Sequence, residues 1–148
     1  MFKRNQRWKG GVRKADSKWE ETLRIGILST ARHHPDPIQY FIPKTYRPDF
    51  VTRVNNHDVY IEAKGRFLDR EEARKYIFIA EELDNSIEYD TEGKAIYAKL
   101  VFLFMNPNLP MPGSTKRKDG SKLTHAEWAD KQGIPWFTEE NITEMFYE

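Results

Sequence analysis

The narrowest constraint on this chain lies between residues 49 and 64. Two β-rich runs, Asp49-Phe-Val-Thr-Arg-Val54 and Asp58-Val-Tyr-Ile-Glu-Ala-Lys64, flank Asn55-Asn56-His57. Asparagine tolerates positive φ, so a short Asn-rich stretch between two such runs predicts a β-hairpin. With Asn55-Asn56 as a two-residue loop, Val54 faces His57, and the position numbers of every facing pair sum to 111, which sets Asp49 opposite Glu62. Side chains directly opposed across a ladder lie about 4.5–5.5 Å apart at Cβ, and like charges there repel. A fold tolerates such a pair when a cation lies between the carboxylates or when solvent screens them. Lys64 is two residues beyond Glu62 and projects from the same face. With the loop shifted to Asn56-His57, Asp49 faces Lys64 instead. Either register gathers two acids and one lysine at the open end of the hairpin. Their oxygens are hard ligands of the kind that suit Mg²⁺ or Mn²⁺. Taken singly, Asp49 could be a turn residue after Pro48, Glu62 an exposed strand acid and Lys64 its surface partner. The combined pattern, Pro-Asp followed 13 residues later by Glu-Ala-Lys across a turn, is narrower.

The rest of the chain reads as a single domain behind a basic arm. Residues 1–16 are polar, contain Gly10-Gly11 and lack sustained periodicity. Ser17-Lys-Trp-Glu20 fits a capping box, which predicts a helix from Ser17 with Trp19, Leu23 and Ile27 as its buried stripe. Pro35 and Pro37 stop that helix before His33-His34. Ile38–Ile42 reads as a strand, and Pro43–Pro48 as an extended, proline-fenced bridge. Asp69 is a candidate N-cap for a helix from Arg70 to about Leu83, with Ala73, Ile77 and Ala80 on one face. The apolar run Lys99–Met105 predicts a central strand covered on both sides. Asn106–Gly120 is a loop, and Thr124-His-Ala-Glu127 is a second capping box opening a helix that ends at Gly133. Ile134–Phe137 reads as an edge strand, and Glu139–Tyr147 as a last helical turn. This order describes an α/β (α+β) sandwich, a mixed sheet flanked by helices.

Composition narrows the chemistry further. Among 148 residues there is no cysteine, which excludes a disulfide scaffold, a thiol nucleophile and a Cys-ligated metal. No apolar run is long enough to cross a bilayer, no signal peptide is evident, and a cytoplasmic protein is expected. The four histidines, His33, His34, His57 and His125, are scattered and read as surface or turn residues. Trp19, Trp128 and Trp136 read as core or rim residues, with Trp8 on the arm the exception. No P-loop, dinucleotide fingerprint or Ser–His–Asp order is present, and no organic cofactor is expected. Net charge is only +1, yet the bases are uneven: Lys3, Arg4, Arg7, Lys9, Arg13, Lys14 and Lys18 crowd the arm, and Lys116-Arg117-Lys118 form a second knot. That asymmetry points to a polyanionic partner.

Arg47-Pro48-Asp49-Phe50 followed by Ile61-Glu62-Ala63-Lys64-Gly65 resembles the PD-(D/E)xK nuclease signature. The order of a basic arm, Ser17-Lys-Trp-Glu20, Tyr46-Arg-Pro-Asp49-Phe50, Glu62-Ala-Lys64-Gly65 and the charged run Asp69–Leu83 more closely resembles the phage endonuclease I family of Holliday-junction resolvases. The resemblance continues through Leu100-Val-Phe102 and through Gly120-Ser121, Glu127-Trp128 and Lys131–Ile134. It spans roughly residues 7 to 137. It departs at Asp84–Lys99 and at Asn106–Gly113, which are longer than the family pattern, and in the acidic C-terminus.

The resemblance implies a restriction-endonuclease-like sheet and a Mg²⁺- or Mn²⁺-dependent endodeoxyribonuclease that resolves four-way and other branched DNA junctions by paired nicks. In a phage setting it would act in the host cytoplasm. Glu20, Asp49, Glu62 and Lys64 match the family's catalytic positions, although Glu20 also suits N3 of its capping box and Glu21 is its neighbour. Asp49, Glu62, the Ala63 carbonyl and Glu20 would ligate two ions about 3.5–4 Å apart. Lys64 would act on the attacking water and on transition-state charge. A homodimer supplies two sites in two-fold relation. The resemblance implies one that swaps through Pro43–Pro48, so that each site takes Glu20 from one chain and Asp49, Glu62 and Lys64 from the other. Arg7, Lys9, Arg13, Lys14, Arg70, Arg74, Lys75, Lys116, Arg117 and Lys118 are the candidate phosphate contacts. Two alternatives are a restriction-like or transposase-associated cutter, against which the lack of a separate recognition domain counts, and a non-catalytic DNA-structure binding module.

Overall fold

The computed structural model describes residues 14–147, with side chains from residue 17 onward. The arm positions Arg7, Trp8, Lys9 and Arg13, and the Lys14 side chain, lie outside the described residues. The chain divides into two compact units, Met1–Thr45 and Tyr46–Glu148, at a boundary within the Pro43–Pro48 segment.

In the first unit, α1 spans Lys14–Ile25. It starts ahead of Ser17, so Ser17 and Glu20 sit inside the helix and form no capping box; a four-residue motif was satisfied by chance. After Ile25 the backbone runs through turns, with Gly26 N–H shared between the Thr22 and Leu23 carbonyls at 3.0 and 3.2 Å. The expected buried stripe is largely open: Trp19 is 67 % and Ile27 84 % exposed, and only Leu23 is half-buried. Residues 38–42 form no strand, and Ile38 and Phe41 are 88 % and 89 % exposed. A strand exists only through a ladder partner, and none pairs with this run among the described residues.

The second unit is a mixed, open α/β fold. Strands β1 (Phe50–Val54), β2 (His57–Lys64), β3 (Ile87–Tyr89), β4 (Ala95–Phe104) and β5 (Trp136–Phe137) form one sheet in the order β1-β2-β4-β3, with β5 also paired to β4. β1 and β3 run antiparallel to their neighbours, while β2–β4 and β4–β5 are parallel. The β1–β2 turn is the tight one: Asn55 and Asn56 have φ of 48° and 62°, the positive pair that a type I′ hairpin requires. The ladder pairs Phe50 with Ile61 and Val54 with His57, so the register that sums to 111 is the one formed.

Helix α2 (Arg70–Asp84) connects the parallel pair, and Asp69 caps it by accepting from Glu72 N–H at 2.7 Å. Its buried face consists of Ala73 and Tyr76, the latter unanticipated. β4 begins four residues earlier than expected, because Ala95–Tyr97 pair with the short β3 across the turn Asp90–Lys94. Helix α3 (His125–Gln132) opens on a complete Thr124–Glu127 capping box and closes at Gly133, whose φ of 69° is the left-handed cap that favours glycine. A 3₁₀ turn, Ile142–Tyr147, ends the described chain. No described helix is long and apolar enough to cross a membrane.

Adjacent residues of β4 point to opposite faces, and Val101 and Phe102 are both fully buried, so both faces of the central strand are covered. On one face Leu100, Phe102 and Phe104 pack with Phe67, Tyr76 and Trp128; on the other Val59, Ile61 and Val101 pack with Met145 of the 3₁₀ turn.

His125 is 1 % exposed, contrary to the surface role expected of it. Its Nδ1 faces the Leu109 carbonyl at 2.7 Å and its Nε2 accepts from Phe67 N–H at 3.2 Å. That pair of partners needs the neutral ring with the proton on Nδ1. Burial pushes its pKa down, with the nearby Arg66 and Lys64 acting in the same sense against the Leu109 carbonyl. A depressed folded-state pKa means that the unfolded chain binds the proton more readily. The contribution of His125 is therefore intact above the ordinary histidine range, near pH ~6.5, and is lost as pH falls below it. Urea unfolding should show wild-type stability declining on acidification through that range. His125→Ala should cost about 2–4 kcal/mol at neutral pH and should flatten that part of the profile.

Candidate functional site

The hairpin register explains how the site assembles. β1 starts at Phe50, so Asp49 lies one residue outside the ladder, directly across from Glu62 in the continued register. Its Oδ2 accepts from Ala63 N–H at 2.9 Å, which ties the exposed acid to the peptide between Glu62 and Ala63. Alternation along β2 turns Tyr60, Glu62 and Lys64 toward α2, and Val59 and Ile61 toward the opposite core.

Glu62 is a buried acid, 8 % exposed. Burial without partners would cost several kcal/mol, and it has three. Tyr46 Oη donates to Oε2 at 2.7 Å, Tyr76 Oη donates to Oε1 at 2.6 Å, and Lys64 Nζ lies 3.7 Å from Oε1. Both phenols are pushed well above the ordinary tyrosine range, first by desolvation and then by their bonds to Glu62. They remain protonated donors throughout the working pH range.

Lys64 is held as firmly. Its Nζ donates to Glu72 Oε1 at 2.5 Å and lies 5.0 Å from the Tyr76 ring centre and 5.6 Å from that of Phe67. Glu72 Oε2 accepts from Leu68 N–H at 2.6 Å. Burial alone would raise the Glu72 carboxyl, but Lys64 and the Leu68 N–H outweigh it and hold the pKa below the ordinary range. Among the described residues no buried side-chain nitrogen or oxygen lacks a partner.

The structure thus brings together Asp49, Glu62, Ala63 and Lys64. Two carboxylates of opposite exposure lie at one strand end, hard-oxygen donors of the kind a small divalent cation takes. Tyr46, Tyr76 and Glu72 belong to the same cluster and were not anticipated. Tyr46 is the first residue of Tyr-Arg-Pro-Asp49, and Tyr76 and Glu72 lie on the first two turns of α2 beside the expected Ala73–Ile77 stripe.

Glu20 belongs to the first unit. Its Oε1 lies 2.8 Å from His33 Nε2 and 3.6 Å from His34 Nε2, so these two histidines are not isolated surface groups. Of the basic candidates, Arg70 is bonded to the Gly113 carbonyl, and Arg117 pairs with Glu127 at 2.5 Å. Lys75 Nζ lies 4.9 Å from the Tyr76 ring centre. Arg74, Lys116 and Lys118 are exposed.

The contrast between buried and exposed pairs has a measurable consequence. Glu72→Gln leaves Lys64 with a weaker partner in a half-buried setting and should cost about 1–3 kcal/mol in urea unfolding. Breaking the exposed Arg53–Asp58 pair, 2.8 Å long, by Arg53→Ala should cost less than about 1 kcal/mol. Because the Glu72 carboxyl is depressed, its share of stability should be present above the ordinary carboxylate range and lost as pH falls through it. In comparisons with known proteins, the chain matches no family model and no curated sequence.

Proposed function

We propose that the chain is a divalent-metal-dependent endodeoxyribonuclease of the PD-(D/E)xK kind, selective for branched DNA and cutting four-way junctions by paired nicks. The observation that carries this reading is the hairpin register, which sets Asp49 across from Glu62, with Lys64 on the face of Glu62. The mixed sheet, with a helix crossing between parallel β2 and β4, is compatible with a restriction-endonuclease-like fold.

Asp49 and Glu62 would hold Mg²⁺ or Mn²⁺, with the Ala63 carbonyl as a further ligand and Glu20 as the additional acid of the site. Such an ion supplies Lewis acidity toward a phosphoryl oxygen and lowers the pKa of bound water. The protein groups have distinct tasks. Lys64 stabilises charge that develops on the phosphoryl oxygens and orients the attacking water. Glu72, 2.5 Å from Nζ, fixes where Lys64 can reach. A site that neutralises backbone charge without reading bases recognises DNA by shape, with salt-sensitive affinity. Arg74, Lys116 and Lys118 are exposed cations suited to that role.

The proposed active species is a homodimer. The first unit exposes Ile25, Ile27, Leu28, Ile38, Phe41 and Ile42, apolar side chains that a second copy of the chain would cover.

Two assays test this reading. Asp49→Ala and Glu62→Gln should each lower Mg²⁺-dependent nicking of a four-way junction by at least about 10³-fold, while junction binding in chelator is retained. An Asp49→Ala protein that cuts at the wild-type rate would falsify the assignment. If sites are shared between chains, inactive Glu20→Ala and Asp49→Ala proteins should regain cleavage when refolded together, whereas independent sites give no recovery.

A further inference from the structure

Two tyrosines converge on one carboxylate from different parts of the second unit. Tyr46 reaches Glu62 Oε2 from the segment ahead of β1, and Tyr76 reaches Oε1 from α2. Each oxygen receives one short hydroxyl bond, so the plane of the carboxylate is fixed at both ends. A carboxylate offers about four acceptor positions, which leaves each oxygen able to face a cation as well.

The rings that carry these hydroxyls are themselves immobilised. Tyr76 is 1 % exposed and packs edge-on against Phe67, Phe102 and Tyr46, with centroid distances of 6.0, 5.3 and 6.2 Å. Phenylalanine fills the same volume, so packing of the rings alone does not call for two phenols here. Without them, the carboxylate would keep only the 3.7 Å approach of Lys64, which touches Oε1 alone.

We infer that Tyr46 and Tyr76 are positioning residues that set the divalent-cation affinity of the Asp49–Glu62 site by locking the Glu62 carboxylate. This rests on the metal-dependent reading above. Hydroxyls bonded to a ligating carboxylate orient it before the ion arrives, and losing such outer partners lowers metal affinity by about 10–100-fold. Removal of one hydroxyl leaves the other oxygen held, so the double variant should lose more than either single one.

The test uses the full chain as wild type, Tyr46→Phe, Tyr76→Phe and the double variant, with exposed Tyr89→Phe as control. Mn²⁺ binding is followed by calorimetry without DNA, and cleavage of a four-way junction is titrated with Mg²⁺. Each single change should weaken Mn²⁺ binding and raise the half-saturating Mg²⁺ concentration by about 10-fold or more, with most of the cleavage rate restored at saturating Mg²⁺. Tyr89→Phe should do neither. A lowered unfolding midpoint with unchanged metal dependence would make the tyrosines structural and overturn the inference, leaving the nuclease reading intact. Wild-type protein that binds no Mn²⁺ and cuts nothing would overturn both. Should Tyr76→Phe fail to fold, Tyr46→Phe, at a half-buried position, decides the question alone.

Discussion

The tight turn at Asn55-Asn56 is the constraint on which the rest of the second unit depends. Positive φ at two successive residues fits the right-handed twist of the flanking strands and leaves one register available. Side chains alternate with a period of two, so a slip of one residue would carry Glu62 and Lys64 to the other sheet face and bring Val59 and Ile61 toward α2. Val59, Ile61 and Val101 then could not form the core with Met145, and a buried acid would face that apolar cluster. Core packing and site geometry therefore enforce the same register, and neither can be altered alone.

Burial of Glu62 follows from that register and has to be compensated where it occurs. Withdrawing a carboxylate from water costs several kcal/mol, while a hydrogen bond to a charged group contributes about 1.5–3 kcal/mol. Two hydroxyl bonds of 2.6 and 2.7 Å and the nearby Lys64 match that cost in order of magnitude. The same logic extends outward to Lys64, which is partnered by Glu72, itself bonded to Leu68 N–H ahead of the α2 cap. The chain of partners begins at the exposed Asp49 and ends in the helix N-terminus. The cluster is thus held by partners at its buried end and open to solvent at Asp49.

This division explains what could be read from the residues alone. The hairpin, the Asp69 cap and the Thr124–Glu127 box are local, and each formed where the residue pattern pointed. β3 has three residues, too few for a period to register, and it exists because the start of β4 needs an edge partner. Tyr76 stands one position before Ile77, within the same helical stripe, and only its hydroxyl distinguishes it from a core ring. His125 is buried through Leu109 and Phe67, partners 16 and 58 residues away, a relation no local pattern contains. On α1, the four-residue period pointed to a buried stripe of Trp19, Leu23 and Ile27, but the helix ends at Ile25 and only Leu23 is half-buried, because periodicity carries no information about what covers a face.

The second unit has a buried core, whereas no side chain described in the first is buried. In the second, apolar side chains on both faces of β4 find partners, and the charged cluster at the end of β2 is matched group by group. In the first, Ile38 and Phe41 stay nearly fully exposed, and Trp19 of α1 is also open. Burying a side chain of this size is worth about 1.5–3 kcal/mol, so a surface bearing several of them gains more from being covered than any single polar contact in the chain could supply. Under the proposed dimer, that gain lies in assembly, and a shared Glu20 would tie the chemistry at the strand end to it. Under these proposals, a substitution among Ile38–Ile42 would act through protein concentration and dimer stability, and one at Tyr46 or Tyr76 through metal concentration.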